Sequence, residues 1–312
     1  MINHFVDMDN PIMNQRFTHR ASKYNVKQVN VIKNSYQKLF HGLCKRHFNY
    51  ITSPIRVLPD FFVIGVVRSG TTSLFHYLGQ HPNIRRASYD ELGYFDDNFH
   101  LGLNWYRSLF PTKFTKQNIE KKFKKFLTFD VTPFYIYNPL VINRILDKFP
   151  KAKIIANLRN PIDRAYSNYN QAMQDNCDTE TTFEEIVTQE IDIIEKKKID
   201  LGNPEKLVNE FYELLLSRGL YAAQLEPWFK TFPSNQILTV SSEELSKNTQ
   251  NTLKQIFQFL EIPNSTISDL TKQNVRKVPP MKDETRKLLI EYYKPYNEKL
   301  YKLVNKRFDW DK

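Results

Sequence analysis

The sequence predicts an α/β fold, a single domain built on a parallel β-sheet flanked by helices. Three observations predict it. Short apolar runs alternate with amphipathic stretches long enough to serve as crossover helices. The first run, FFVIGV (61–66), opens straight into a glycine-bearing turn and a helical stretch. At 312 residues, 41% hydrophobic and 25% charged, the chain is large enough to bury a substantial core.

Residues 1–58 read as a polar N-terminal extension ending near ITSPIRVLPD, and residues 59–312 as the domain. FFVIGV is continuously apolar, as expected of a strand covered on both faces. TTSLFHYLGQHP follows as a helix closed by Gly79 and Pro82. KKFLTFDVT (124–132) is the second strand and PLVINRILDKFP the next helix. AKIIANL (152–158) is the third strand, leading into PIDRAYSNYNQAM, where Pro161 opens a helix. QILTVSS (236–242) is the fourth, followed by EELSKNTQNTLKQIFQFLEI as one helix. Strands separated by such crossovers pair in parallel, and ligands sit beyond their carboxyl ends.

The formal charge of +11 suits an anionic ligand or a basic solvated exterior. Cys44 and Cys177, far apart and without a C-x-x-C partner, read as free thiols, which argues against a disulfide scaffold and a zinc site and favours a reducing compartment. The N-terminal 40 residues contain no apolar h-region, and no run approaches the length of a membrane span. The expectation is a soluble, cytoplasmic protein with no nucleic-acid partner, and the sequon at Asn264 reads as a loop.

The glycine turn suggests a P-loop-type sheet with altered chemistry. Gly65 and Gly70 have G-x-x-x-x-G spacing, but Thr71 stands where an NTPase places its lysine, and Arg68 is the only charge inside the loop. A strand, a tight turn and a helix start present backbone N–H groups and a positive dipole end to an anion. Without the lysine, and without an acidic magnesium ligand at a strand end, a kinase-like reading is weak. Arg159 leaves the end of the third strand and Ser167 lies eight residues on, a cation and a hydroxyl able to face the same crevice.

These segments resemble the sulfotransferases that use 3′-phosphoadenosine 5′-phosphosulfate (PAPS), and are most similar to the heparan-sulfate type, from about residue 59 to the C-terminus. The markers are FFVIGVVRSGTTSL, DELGYFD followed by GLNWYRSLFP, LRNPIDRAYSNY, SRGLYAAQLEPW and VRKVPPMKDETRKLL. The resemblance implies that Arg68, Ser69, Gly70, Thr71, Thr72 and Ser73 bind the 5′-phosphosulfate and that Arg159 and Ser167 bind the 3′-phosphate. It places Arg276 and Lys277 in a segment closing over the nucleotide, makes Glu91 the general base, and needs no metal. Arginine cannot readily release a proton, so Arg68 is expected to act as an electrostatic clamp on the leaving phosphate. Asp90 beside Glu91 is expected to raise its pKa by repulsion. His76, His81 and His100 are the local rivals for base, with His76 and His81 expected to be structural.

Arg68 stands where heparan-type relatives usually have lysine, a departure that bears on the leaving phosphate. One departure bears on the acceptor: Val131 replaces a lysine of an E-K-T-P pattern, so a less acidic acceptor than heparan sulfate is expected. The basic run 113–126 reads as a solvated helix face or as an attractor for a charged chain. The acceptor is expected to be a glycan offering a hydroxyl or amine. A protein tyrosine, a lipid or a small molecule, and a non-catalytic nucleotide- or glycan-binding protein, are the alternatives. Oligomeric state is left open.

Overall fold

The computed structural model describes residues 44–174, 181–196, 214–273 and 279–310. Its centre is a five-stranded parallel sheet formed by β1 (Phe61–Gly65), β2 (Ile84–Arg86), β3 (Leu127–Val131), β4 (Lys153–Leu158) and β5 (Ile237–Ser241), in the order β2-β3-β1-β4-β5. Phe62 of β1 stands beside Asp130 of β3 on one side and Ile154 of β4 on the other.

Every residue of β1 and β3 is buried; β1 accordingly reads as a continuous apolar run, whereas β3 alternates in sequence because Thr128 and Asp130 are buried as hydrogen-bonded polar residues. Successive β1 side chains nevertheless go to opposite faces. Phe61 and Val63 join Leu74, Leu78, Leu253 and Ile256 under α2 (Thr71–Leu78) and α10 (Thr249–Phe259). Phe62 and Ile64 join Ile145, Ile162, Trp228 and Tyr293 under α5 (Pro139–Lys148), α6 (Pro161–Gln174), α8 (Tyr221–Thr231) and α11 (Asp283–Val304). Phe61 stacks on Phe129 across the strand pair, with centroids 4.9 Å apart.

The structure adds one strand and divides one helix relative to the sequence expectation. β2 carries a single buried residue, Ile84, followed by two arginines, and so gives no periodic signal. The stretch expected as one helix after β5 forms α9 (Ser242–Lys247) and α10, separated at Asn248, whose φ of −129° leaves the helical region. Ser241 caps α9 by accepting the Glu244 N–H at 3.2 Å, and the Asn248 N–H closes it on Glu244 O at 2.7 Å. Two further helices, α3 (Gly102–Ser108) and α4 (Lys113–Phe123), fill the crossover between β2 and β3, and α7 (Phe183–Lys196) follows α6.

Ahead of β1, α1 (Cys44–Ile51) packs against α3. Arg56 donates to Phe110 O at 2.7 Å and the Val57 N–H to Pro111 O at 2.9 Å, so residues 44–58 are fastened to the domain. Among the described residues, no helix is long and apolar enough to cross a membrane.

Candidate active site

The two glycines of the loop serve different ends. A Cβ on Gly65 would lie 2.8 Å from Ile136 Cγ2 and 3.2 Å from Pro133 O, so glycine lets the end of β1 approach the turn after β3. Gly70 meets no such crowding; it is needed for its φ of 82°, the left-handed N-cap of α2. The first helical bond runs from the Leu74 N–H to Gly70 O at 3.0 Å. The amides of residues 70 to 73 therefore have no acceptor within the helix, and a glycine cap brings no side chain to satisfy them.

The loop is turned so that its carbonyl face points inward. Ser69 O accepts from Asn157 Nδ2 at 2.7 Å and from Ser242 Oγ at 2.8 Å. The Ser69 hydroxyl, almost fully buried, donates to Val66 O at 2.6 Å, so it braces the loop. Ser73 Oγ accepts the Gln273 N–H at 2.9 Å, which ties α2 to the segment after α10. Arg276 and Lys277 lie outside the described residues.

Arg68 and Ser167, 99 positions apart, meet directly: Arg68 Nε donates to Ser167 Oγ at 3.2 Å. Arg159 donates to Arg68 O at 2.7 Å, and Arg159 O in turn accepts from the Tyr221 hydroxyl at 2.8 Å. Arg68 itself has φ 68°, so the cation is carried on a left-handed residue at the turn of the loop. These groups open onto a cleft of about 700 Å³, lined by Arg68, Gly70, Thr72, Arg159, Ser167 and Glu91 among others. That volume is in the range of small-molecule and cofactor sites.

Glu91 stands at the cleft with φ 55°, its N–H donating to Val131 O at 2.7 Å. None of the three histidines lines the cleft. His76 Nε2 is 2.8 Å from Asp269 Oδ2, and Asp269 is held far below the usual carboxylate range by hydrogen bonds from Thr271 and then His76. His81 is fully buried, with Nε2 against Pro263 O at 2.9 Å and Nδ1 accepting the Asn83 N–H at 3.1 Å; burial lowers its pKa. That pattern fits a neutral ring protonated on Nε2. His100 Nδ1 lies 3.1 Å from Asp97 O on the surface. Val131 is buried among the residues under α2.

Residues 58–300 match the family model described as Sulfotransferase domain. The chain belongs to the sulfotransferase family. Its relatives include membrane-associated sulfotransferase kil1 of Dictyostelium discoideum, 30% identical over 319 residues and 81% of this chain. They also include two Mus musculus proteins, each 28% identical. Heparan sulfate glucosamine 3-O-sulfotransferase 3B1 is matched over 81% of this chain, and bifunctional heparan sulfate N-deacetylase/N-sulfotransferase 4 over 80%. The chain spans 66%, 65% and 30% of the lengths of those three relatives. The crystal structure of a sulfotransferase from Alicyclobacillus acidocaldarius shares the fold, with a TM-score of 0.61 over 82% of this chain and 100% of that one, at 24% identity.

Sequence reasoning missed two parts of this sulfotransferase's site. Asn157, inside the apolar run of β4 and fully buried, orients the loop through Ser69 O. Asp130, fully buried at the end of β3, accepts from Tyr106, Thr132 and Tyr135. Burial pushes its carboxyl up to about 6 against the three hydroxyl donors. A polar residue inside each strand, Asn157 in IIANL and Asp130 with Thr128 in LTFDV, was the available signal.

Proposed function

We propose that this sulfotransferase moves a sulfuryl group from PAPS to a hydroxyl or amine of a carbohydrate, with Glu91 receiving the proton of the acceptor. The observation that best supports this reading is the convergence of Arg68, Arg159 and Ser167, from three elements, on the amide-lined start of α2. The donor set fits a nucleotide with two separate phosphates. When bound, such a nucleotide supplies an activated sulfuryl group on a 5′-phosphate leaving group.

The amides of residues 70 to 73 and the hydroxyls of Thr71 and Thr72 receive the 5′ end, while Ser69 contributes by shaping the loop. Arg68 holds the charge that develops on the leaving phosphate, and as a guanidinium it stays protonated throughout. Arg159 and Ser167 select the 3′-phosphate, and Arg276 and Lys277 belong to the same nucleotide reading. No metal is required for any of these roles. Asp90 and the start of α4 remain secondary influences on Glu91 and on acceptor approach.

A glycan acceptor is favoured by the relatives named for heparan sulfate. The buried Val131 favours one less acidic than heparan sulfate itself. The same reading assigns catalysis to residues 59–312, treats 1–58 as an extension, and places the protein in the cytoplasm on the strength of its two separated thiols. Radiolabelled PAPS offered with glycans, tyrosine peptides, lipids and phenols, with and without a chelator, tests it. Label should enter a glycan regardless of chelator. Label confined to another class replaces the acceptor, and nucleotide binding with no transfer to any class makes the chain a binding protein.

A further inference from the structure

Three backbone amides on alternate residues of the Glu91 segment are held from one place. The Glu91 N–H donates to Val131 O at 2.7 Å, the Gly93 N–H to Thr132 Oγ1 at 3.3 Å, and the Phe95 N–H to the Tyr135 hydroxyl at 3.2 Å. Both side-chain acceptors donate in turn to one buried carboxylate. Thr132 Oγ1 reaches Asp130 Oδ1 at 2.8 Å and the Tyr135 hydroxyl reaches Oδ2 at 2.9 Å. A third donor, the Tyr106 hydroxyl from α3, reaches Oδ2 at 2.8 Å, and its ring stacks on Tyr94 with centroids 4.3 Å apart.

An ionised carboxylate accepts only, so it dictates the direction of all three hydroxyl protons. The lone pairs of Thr132 and Tyr135 are thereby left facing the amides of Gly93 and Phe95. Glu91 and Gly93 both have positive φ, 55° and 61°. For glutamate that region is disfavoured, and such a conformation persists where its surroundings over-determine it.

We propose that Asp130 is a positioning residue for Glu91, acting through Thr132, Tyr135 and Tyr106 to hold the segment that carries the base against the end of β3. The inference rests on Glu91 being the base, and it assigns Asp130 no contact with substrate. A reacting group displaced by about 1 Å loses on the order of 10²-fold in rate.

The test is a double-mutant comparison with PAPS and the acceptor class on which the wild type turns over, together with amide hydrogen exchange, which needs no acceptor. Asp130→Asn should lower kcat by about 10²-fold while the affinity for 3′-phosphoadenosine 5′-phosphate is unchanged. Added to Glu91→Gln, it should lower kcat little further, because the base it positions is already gone. Exchange at Gly93 and Phe95 should quicken, while Val66 and Ser69, whose amides are bonded to Asn157 O and Val66 O, keep their protection. Equal losses in both backgrounds would reduce Asp130 to a general structural part and overturn the proposal, as would unchanged protection at Gly93 and Phe95. Full turnover in Glu91→Gln alone would instead remove the base assignment, and the exchange data would still show whether Asp130 holds the segment. Tyr135→Phe, which keeps the ring and removes one hydroxyl, should repeat the pattern at smaller amplitude should Asp130→Asn not fold.

Discussion

At the carboxyl ends of the strands, Arg68 and Arg159 lie beside a helix start, donating to a hydroxyl and to a loop carbonyl. At the amino ends, Lys125 and Lys153 are turned onto the loop that follows α10. Lys125 Nζ donates to Leu260 O at 2.9 Å and Glu261 O at 3.1 Å, while Lys153 Nζ donates to Glu261 Oε1 at 2.6 Å and to Phe259 O. Both ends are hollowed, the second into a space of about 400 Å³ that Lys148 and Lys151 also line. At one end Arg68 sits on the glycine loop and Arg159 just after β4, beside the uncapped amides that open α2, whereas the lysines of the other end staple a turn. A net charge of +11 therefore marks neither end as the site. The direction of the donors does.

The widest separation between the two ends should come from Glu91. Glu91→Gln keeps size and much of the hydrogen bonding but cannot take a proton, so kcat should fall about 10²- to 10⁴-fold, with nucleotide affinity almost unchanged. Turnover against one acceptor, alongside calorimetric binding of 3′-phosphoadenosine 5′-phosphate, measures both. His76→Ala and His81→Ala should leave the chemistry in place, because neither ring reaches the cleft. A collapse in either histidine variant with a healthy Glu91→Gln would move the base.

Arg68 should come next. One preorganised donor on developing charge is worth roughly 2.7 to 4 kcal/mol, so Arg68→Ala should lower kcat by about 10²- to 10³-fold. Arg68→Lys should recover much of it, since the charge is restored even though the planar fork is lost. Single-turnover rates with saturating PAPS give the comparison directly, and an alanine variant at wild-type speed would mean that the carboxyl end has been misread.

What was legible in the sequence follows from burial. FFVIGV and AKIIANL declared themselves because their strands are covered on both faces, whereas β2 was silent because two of its three residues are arginines. The break at Asn248 was hidden because Leu245, Leu253, Ile256 and Phe257 keep an apolar face on both sides of it. In the site, Arg68 and Arg159 were legible from their places just after strand ends, and Ser167 from its place in the helix that follows β4. Asp130 and Asn157 were not, since each reads as one more residue of a strand until its hydrogen bonds are seen. Local pattern reports what an element is, and the partners of a buried polar group are fixed by elements distant in the chain.

Arg159 sharpens the comparison within the cleft itself. At a ligand concentration of 100 times Kd, binding stabilises a protein by about 2.7 kcal/mol. In the wild type, 3′-phosphoadenosine 5′-phosphate should raise Tm well above the shift given by adenosine monophosphate, which lacks the 3′ group. Arg159→Ala should erase most of that difference while leaving the shift with adenosine monophosphate. Equal shifts with both nucleotides in the wild type would dissolve the 3′-phosphate assignment.

The smallest effect belongs to the amino end and is the one that isolates it. Lys153→Ala removes the nearer of the two lysines paired with Glu261, whose carboxyl is held below its usual range first by the Lys153 hydrogen bond and then by the charge of Lys153, with Lys125 adding to both. A carboxylate with a depressed folded-state pKa contributes stability above its unfolded value, and that contribution is lost as the pH falls through the folded one. The Tm difference between wild type and Lys153→Ala should therefore be present at neutral pH and shrink as the pH falls below about 4.3, the unperturbed glutamate value. A remainder should persist there from the lost bond to Phe259 O, which does not titrate. Because Glu261 is largely exposed, added salt should shrink the neutral-pH difference as well. Turnover should not change at any pH where the enzyme is folded. Loss of turnover in Lys153→Ala, with Tm hardly moved, would place ligand chemistry at the amino end and break the contrast between the two ends of the sheet.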